Sequence, residues 1–128
     1  MPGRVLLDTN FIIAFFSGEK AVSKHFTESE VFVSSTVLGE LYYGAQKSAN
    51  AAANLARIDQ FAAAVHVLSC DAVTAQFYGQ VRERLRLKGR PIPENDIWIA
   101  ATAIQHGLPL ATRDDHFKEV EGLPIKNW

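Results

Sequence analysis

Asp8 interrupts "RVLLDTNFIIAFF", a run that is otherwise almost wholly apolar. A carboxylate beside buried aliphatic residues is costly unless something compensates it. Three other acids are placed to join it: Glu40 in "TVLGELYYGAQK", Asp96 in "PENDIWIAATAIQHG" and Asp114 just beyond "LPLAT". Carboxylates brought within a few ångströms repel one another. Mg²⁺ or Mn²⁺ is the natural counter-charge, because hard cations take oxygen ligands and Mg²⁺ keeps part of its water shell. A cation held in this way clamps a phosphodiester, activates a water and stabilises the leaving oxygen. The chemistry this set of residues suggests is metal-dependent hydrolysis of a nucleic-acid backbone, with one metal or two.

Short polar side chains flank the acids. Thr9, Asn10 and Thr112 can orient a ligating carboxylate or a bound water. Asp115 competes with Asp114 for the fourth place; Asp114 is preferred because it lies nearer the strand end, which leaves Asp115 beside the site or capping the next turn. In "RERLRLKGR", Arg82 and Arg86 share one helical face and suit RNA phosphates or a solvated surface. Arg113, next to Asp114, is placed to clamp a phosphate or a carboxylate. His25, His66, His106 and His116 are scattered and form no H-E-x-x-H pair, so each is read as satisfied locally. Asp71 has an adequate task as a helix cap and is left out.

The acids acquire meaning from the elements that carry them. Residues 4–7 read as a buried strand, followed by a short helix ending at Gly18. A second strand is expected at 31–35 and a helix at 36–47, capped by Ser35 or Thr36. The Ala-rich stretch near 51–64 reads as helix and 65–69 as a third strand. Asp71 caps a helix whose apolar stripe is Val73, Phe77, Val81 and Leu85, closed by Gly89 and Pro91. A helix over "PENDIWIAATAIQ" stops at Gly107, a fourth strand spans 108–112, "HFKEV" makes one helical turn, and "LPIKNW" is an edge strand. Strands alternating with helices predict an α/β domain with a mostly parallel sheet covered on both faces. Right-handed crossovers put the strand C-termini at one edge, where ligands bind in such sheets. Asp8, Glu40, Asp96 and Asp114 are all expected at that edge.

Composition bounds the reading. The 128 residues suit one domain covering 1–128, and 48% hydrophobic content supports a sizeable core. A formal charge of −1 provides no global attraction to a polyanion. One cysteine, Cys70, excludes an internal disulfide or a cysteine-rich zinc site and suits a reducing, cytoplasmic setting. Neither a signal peptide nor a membrane span is read. An aspartyl-nucleophile phosphatase would place Asp8 similarly but needs an acid at position 10, which is Asn. A phospho-receiver needs paired acids near the first strand, and a dinucleotide fold needs a Gly-rich first turn; "DTNFI" supplies neither.

The ordered motifs "LLDTN", "GEL", "NDIWIAATA" and "LATRDDHF", closed by "GLPIKNW", resemble those of the PIN-domain nucleases, and among them the VapC toxins of toxin–antitoxin pairs. The resemblance spans nearly the whole chain. It implies a three-layer α/β/α sandwich around a five-stranded, mainly parallel sheet, with Asp8, Glu40, Asp96 and Asp114 holding Mg²⁺ or Mn²⁺. It implies an endoribonuclease acting on structured RNA such as tRNA or rRNA, a homodimer, and a cognate antitoxin that blocks the metal site and carries the toxin to operator DNA. Two alternatives stand beside it: a non-toxin RNA-processing nuclease of the same fold, and a catalytically silent module that binds nucleic acid or antitoxin.

Overall fold

A computed structural model describes residues 3–128. Five strands form one sheet: β1 (Gly3–Leu7), β2 (Ser29–Ser34), β3 (His66–Leu68), β4 (Leu110–Ala111) and β5 (Ile125–Lys126). Their spatial order is β3-β2-β1-β4-β5, and each neighbouring pair is parallel. Between them run six α-helices, α1 (Thr9–Phe16), α2 (Lys20–Glu28), α3 (Ser35–Gln46), α4 (Ala51–Ala64), α5 (Ala72–Lys88) and α6 (Glu94–His106), and a 3₁₀ helix at Asp115–Glu119. The result is the three-layer α/β/α arrangement expected of short apolar strands buried on both faces.

The core is continuous across the layers. Val5, Leu6 and Leu7 of β1, Val31–Val33 of β2, and Leu110 and Ala111 of β4 are buried against Phe11, Ile12, Val37, Ile99 and Phe117. Ala100, Ala101 and Ala103 leave no surface on α6, so this helix lies close against its neighbours.

The order of the strands determines where a ligand can bind. The chain winds from β1 to β2 to β3 on one side, then crosses back through α5 and α6 to place β4 on the other side of β1. The switch of direction falls between β1 and β4. Just beyond the carboxyl ends of such a strand pair lies a crevice that no connecting segment covers.

Several boundaries depart from expectation for local reasons. The second strand begins at Ser29, because Gly3 and Arg4 of β1 pair with Ser29 and Glu30 ahead of the apolar run. It passes directly into α3, so the cap is Ser34, whose Oγ accepts from the Val37 N–H at 3.2 Å, rather than Ser35 or Thr36. The fourth strand shrinks to Leu110–Ala111. Helix α2 was not anticipated: its nine residues are largely polar and only Val22 is buried. On α5 the stripe is rotated. Val73 is 45% exposed, and Thr74 is fully buried in its place. Thr74 closes a capping box with Asp71 and donates to Gln105 Oε1 of α6 at 2.6 Å. Val81 and Leu85 face inward as expected.

Candidate active site

Asp8 is the first residue past β1, and its N–H still bonds the Ala111 carbonyl of β4 at 3.0 Å. It therefore sits at the switch point. Its side chain caps α1, Oδ1 accepting from the Thr9 N–H at 2.8 Å, while Oδ2 accepts from Thr112 Oγ1 at 2.8 Å. Only 5% of Asp8 is exposed.

Hydrogen bonds extend outward from this carboxylate on both sides. Thr9 Oγ1 donates to Glu40 Oε2 at 2.6 Å, tying the second turn of α3 to the start of α1. Thr112 Oγ1 also accepts from the Asp114 N–H at 3.0 Å, so one hydroxyl links Asp8 to the loop carrying Asp114. Asp114 Oδ1 in turn accepts from the His116 N–H at 3.0 Å. Asp96 enters from the first turn of α6, with 16% of its side chain exposed. The His116 ring closes the ring of acids: Nδ1 lies 3.1 Å from Asp114 Oδ1 and 3.3 Å from Asp96 Oδ2. Potential ligand atoms of Asp96, Asp114 and His116 all fall within 4.8 Å of one another.

The electrostatics follow from this crowding. Burial pushes the Asp8 carboxyl above the usual carboxylate range; the hydrogen bonds from Thr112 and Thr9 pull it down, and the charges of Glu40 and Asp114 push it further up. Burial also raises Asp96, against the contact with His116, with Asp8 and Asp114 adding to the rise. The set whose ligand atoms all lie close together is Asp96, Asp114 and His116; Asp8 is linked to it through Thr112, and Glu40 to Asp8 through Thr9.

Of the flanking residues, Thr9 and Thr112 bond directly to the acids, whereas Asn10 is exposed in the first turn of α1. Asp115 points away and pairs with Lys118 at 2.8 Å. Arg113 is occupied: its Nη2 pairs with Glu19, its Nε donates to the Trp128 carbonyl at 3.1 Å, and its guanidinium lies over the Phe11 ring. Arg82 and Arg86 lie on the exposed face of α5, Arg82 donating to the Tyr78 hydroxyl and Arg86 pairing with Glu83. Tyr78 stacks on Trp98 of α6 at 4.0 Å and donates to Glu94 Oε1 at 3.2 Å, which ties this basic face to the helix that carries Asp96. His116 is the residue that sequence reasoning missed. The available signal was its place two residues after Asp114 in "DDHF", where a turn closed on an Asp side chain folds back over it.

Beside the acids opens a largely apolar groove between α1, α3 and α4, lined by Thr9, Ile13, Phe16, Glu40, Arg57 and Ile58. Ile13 is half exposed there. Among the described residues no helix is long and apolar enough to cross a membrane.

Comparison with known proteins places this geometry among relatives. The PIN domain family matches residues 5–123. The tRNA(fMet)-specific endonuclease VapC of Shigella flexneri is 36% identical over 98% of both chains. The DNA-bound VapBC crystal structure from Salmonella typhimurium superimposes with a TM-score of 0.92 at 32% identity, covering 100% of this chain and 99% of that one. VapBC2 of Rickettsia felis, bound to a DNA fragment from its promoter, superimposes with a TM-score of 0.90 at 29% identity over 98% of each chain.

Proposed function

This chain belongs to the PIN-domain family, with the VapC ribonucleases as its relatives, and on that premise we propose that it is a Mg²⁺- or Mn²⁺-dependent endoribonuclease acting as the toxin of a toxin–antitoxin pair. The reading is supported by Asp8 at the β1–β4 switch point, linked through Thr9 to Glu40 and through Thr112 to Asp114, and by Asp114 and Asp96 meeting about His116. The donor set fits a hard divalent cation: it is mostly carboxylate oxygen, and two of its members are pushed up by burial and by their neighbours' charge. When bound, such a cation supplies Lewis acidity and neutralises the charge a phosphodiester brings.

The chain's own residues then have distinct tasks. Asp8, Glu40, Asp96 and Asp114 would hold the cation, and Thr112 keeps Asp8 and Asp114 in fixed relation. Thr9 holds Glu40 in place through Oε2. Arg82 and Arg86, on the exposed face of α5, are available to RNA phosphates once their present partners yield. Substrate is structured RNA, tRNA or rRNA, which sets the action in the cytoplasm, and residues 1–128 work as one domain. The apolar groove running from Thr9 and Glu40 takes a segment of a cognate antitoxin, whose seating there blocks access to the acids. The toxin acts as a homodimer and reaches operator DNA only through the antitoxin complex.

Incubating the purified chain with tRNA and total RNA, with Mn²⁺, Mg²⁺ or chelator, tests the activity. Cleavage is expected only with divalent cation. Asp8→Asn and Asp96→Asn are expected to lower the rate by about a hundredfold or more, several kcal/mol of lost transition-state stabilisation, with an unchanged far-ultraviolet spectrum. Undiminished cleavage by both variants would overturn the assignment.

A further inference from the structure

We propose that His116 contributes a nitrogen donor to the cation centre beside Asp96 and Asp114, and that this donor biases the site toward Mn²⁺ over Mg²⁺. The inference rests on the metal-dependent reading above and adds a ligand to it.

The geometry is the first support. Octahedral coordination with bonds near ~2.1 Å places adjacent ligand atoms about 3.0 Å apart. His116 Nδ1 stands 3.1 Å from Asp114 Oδ1 and 3.3 Å from Asp96 Oδ2. Small rotations of three side chains therefore put these atoms on one face of an octahedron. The second support is the way the ring is held. The His116 N–H is bound by Asp114 Oδ1, and the next residue, Phe117, is fully buried and anchors the 3₁₀ helix in the core. The imidazole therefore turns Nδ1 toward the acids while the side chain remains half exposed on its other side.

The third support is chemical. Mg²⁺ binds oxygen almost exclusively, whereas Mn²⁺, although it also favours oxygen and stands lowest of the first-row series, accepts an imidazole nitrogen beside carboxylates more readily than Mg²⁺ does. Imidazole is neutral, so in place of a water it leaves the charge of the site unchanged and shifts the ratio of affinities through the nature of the donor atom. A ring that merely pairs with two carboxylates would produce similar distances, and the spin of Mn²⁺ separates that arrangement from ligation.

Mn²⁺ is titrated into the full chain and followed by electron paramagnetic resonance, with Mg²⁺ affinity obtained by competition. Electron spin echo measurement on the wild type is expected to show ¹⁴N modulation, replaced by a ¹⁵N pattern when histidine is ¹⁵N-labelled; this readout needs no variant. In His116→Gln the nitrogen signal is expected to vanish and Mn²⁺ affinity to fall roughly tenfold, with Mg²⁺ affinity nearly unchanged. Mn²⁺ that binds the wild type and is lost in Asp96→Asn, yet shows no histidine nitrogen and an unaltered Mn²⁺ to Mg²⁺ ratio in His116→Gln, would overturn the role of His116 and leave the nuclease reading intact. Absence of Mn²⁺ binding by the wild type would overturn both.

Discussion

Asp8 combines duties that are usually divided among residues. One oxygen caps α1 through the Thr9 N–H and the other receives the Thr112 hydroxyl, so the carboxylate is oriented before any cation arrives. That orientation comes at an electrostatic cost. The Asp8 and Asp96 carboxyls both lie above their usual value of 3.8, burial being the larger cause and neighbouring acids the next one that raises them. In the absence of a divalent cation, at pH values between the ordinary and the raised ones, the native state holds protons that the unfolded chain has released. The stability these groups contribute is fully present below that ordinary value and is lost as pH rises through their raised values. Asp96→Asn removes one of the repelling charges. In chelator at neutral pH its melting temperature is expected to exceed that of the wild type by a few degrees, and the gap to close as the buffer is acidified toward the ordinary carboxylate range. The lost helix-dipole interaction of an acid in the first turn of α6 and the lost contact with His116 work against this gain; burial together with the charges of Asp8 and Asp114 gives the net rise on which the expectation rests. A lower melting temperature than wild type throughout would show that the acids do not repel one another. At this scale, sequence could nominate the four acids because each interrupts or follows an apolar element. It reads His116 as satisfied locally; only the turn after Asp114 shows that its ring lies between Asp96 and Asp114. Nor could sequence show that Arg113 is taken up by Glu19 and Trp128.

The helices that carry acids to the edge, α3 and α6, do so only if their first turns are held in register. Helix α3 illustrates the point. Ser34 ends β2 and caps α3 in one step, buried and bonded to the Val37 N–H, and the helix then presents Glu40 to Thr9. Ser34→Ala leaves that N–H without its partner and is expected to lower stability by about 1 kcal/mol, read as a shift in urea midpoint with an unchanged slope. An unshifted midpoint would mean that the cap contributes nothing. Elements with strong punctuation were legible beforehand: α5 between Asp71 and Gly89, and α6 up to Gly107, whose left-handed φ of 64° ends the helix. Those lacking it were not. Helix α2 has a polar sequence and one buried residue. The inward face of α5 is decided by Thr74, a residue whose burial depends on a capping box and on Gln105 from another helix. Periodicity alone favours Val73 and cannot anticipate either contact.

At the scale of the whole molecule, function follows from topology. An N-terminal strand at the centre of the sheet, with β2 on one side and β4 on the other, opens a crevice where Asp8 and Thr112 stand side by side. The long return through α5 and α6 brings Asp96 down onto the same crevice. This convergence was legible in the order of motifs and in the handedness of crossovers, because parallel sheets leave few alternatives. The net charge of −1 means that a polyanion is not attracted by the chain as a whole. The central claim is that these acids share one cation centre. Crystals soaked in Mn²⁺ and measured at a wavelength where manganese scatters anomalously test it most directly. An anomalous peak is expected within bonding distance, ~2.0–2.4 Å, of carboxylate oxygens from Asp8, Asp96 and Asp114. A map with no peak at this edge, from crystals of protein that cleaves RNA in the same Mn²⁺, would contradict it.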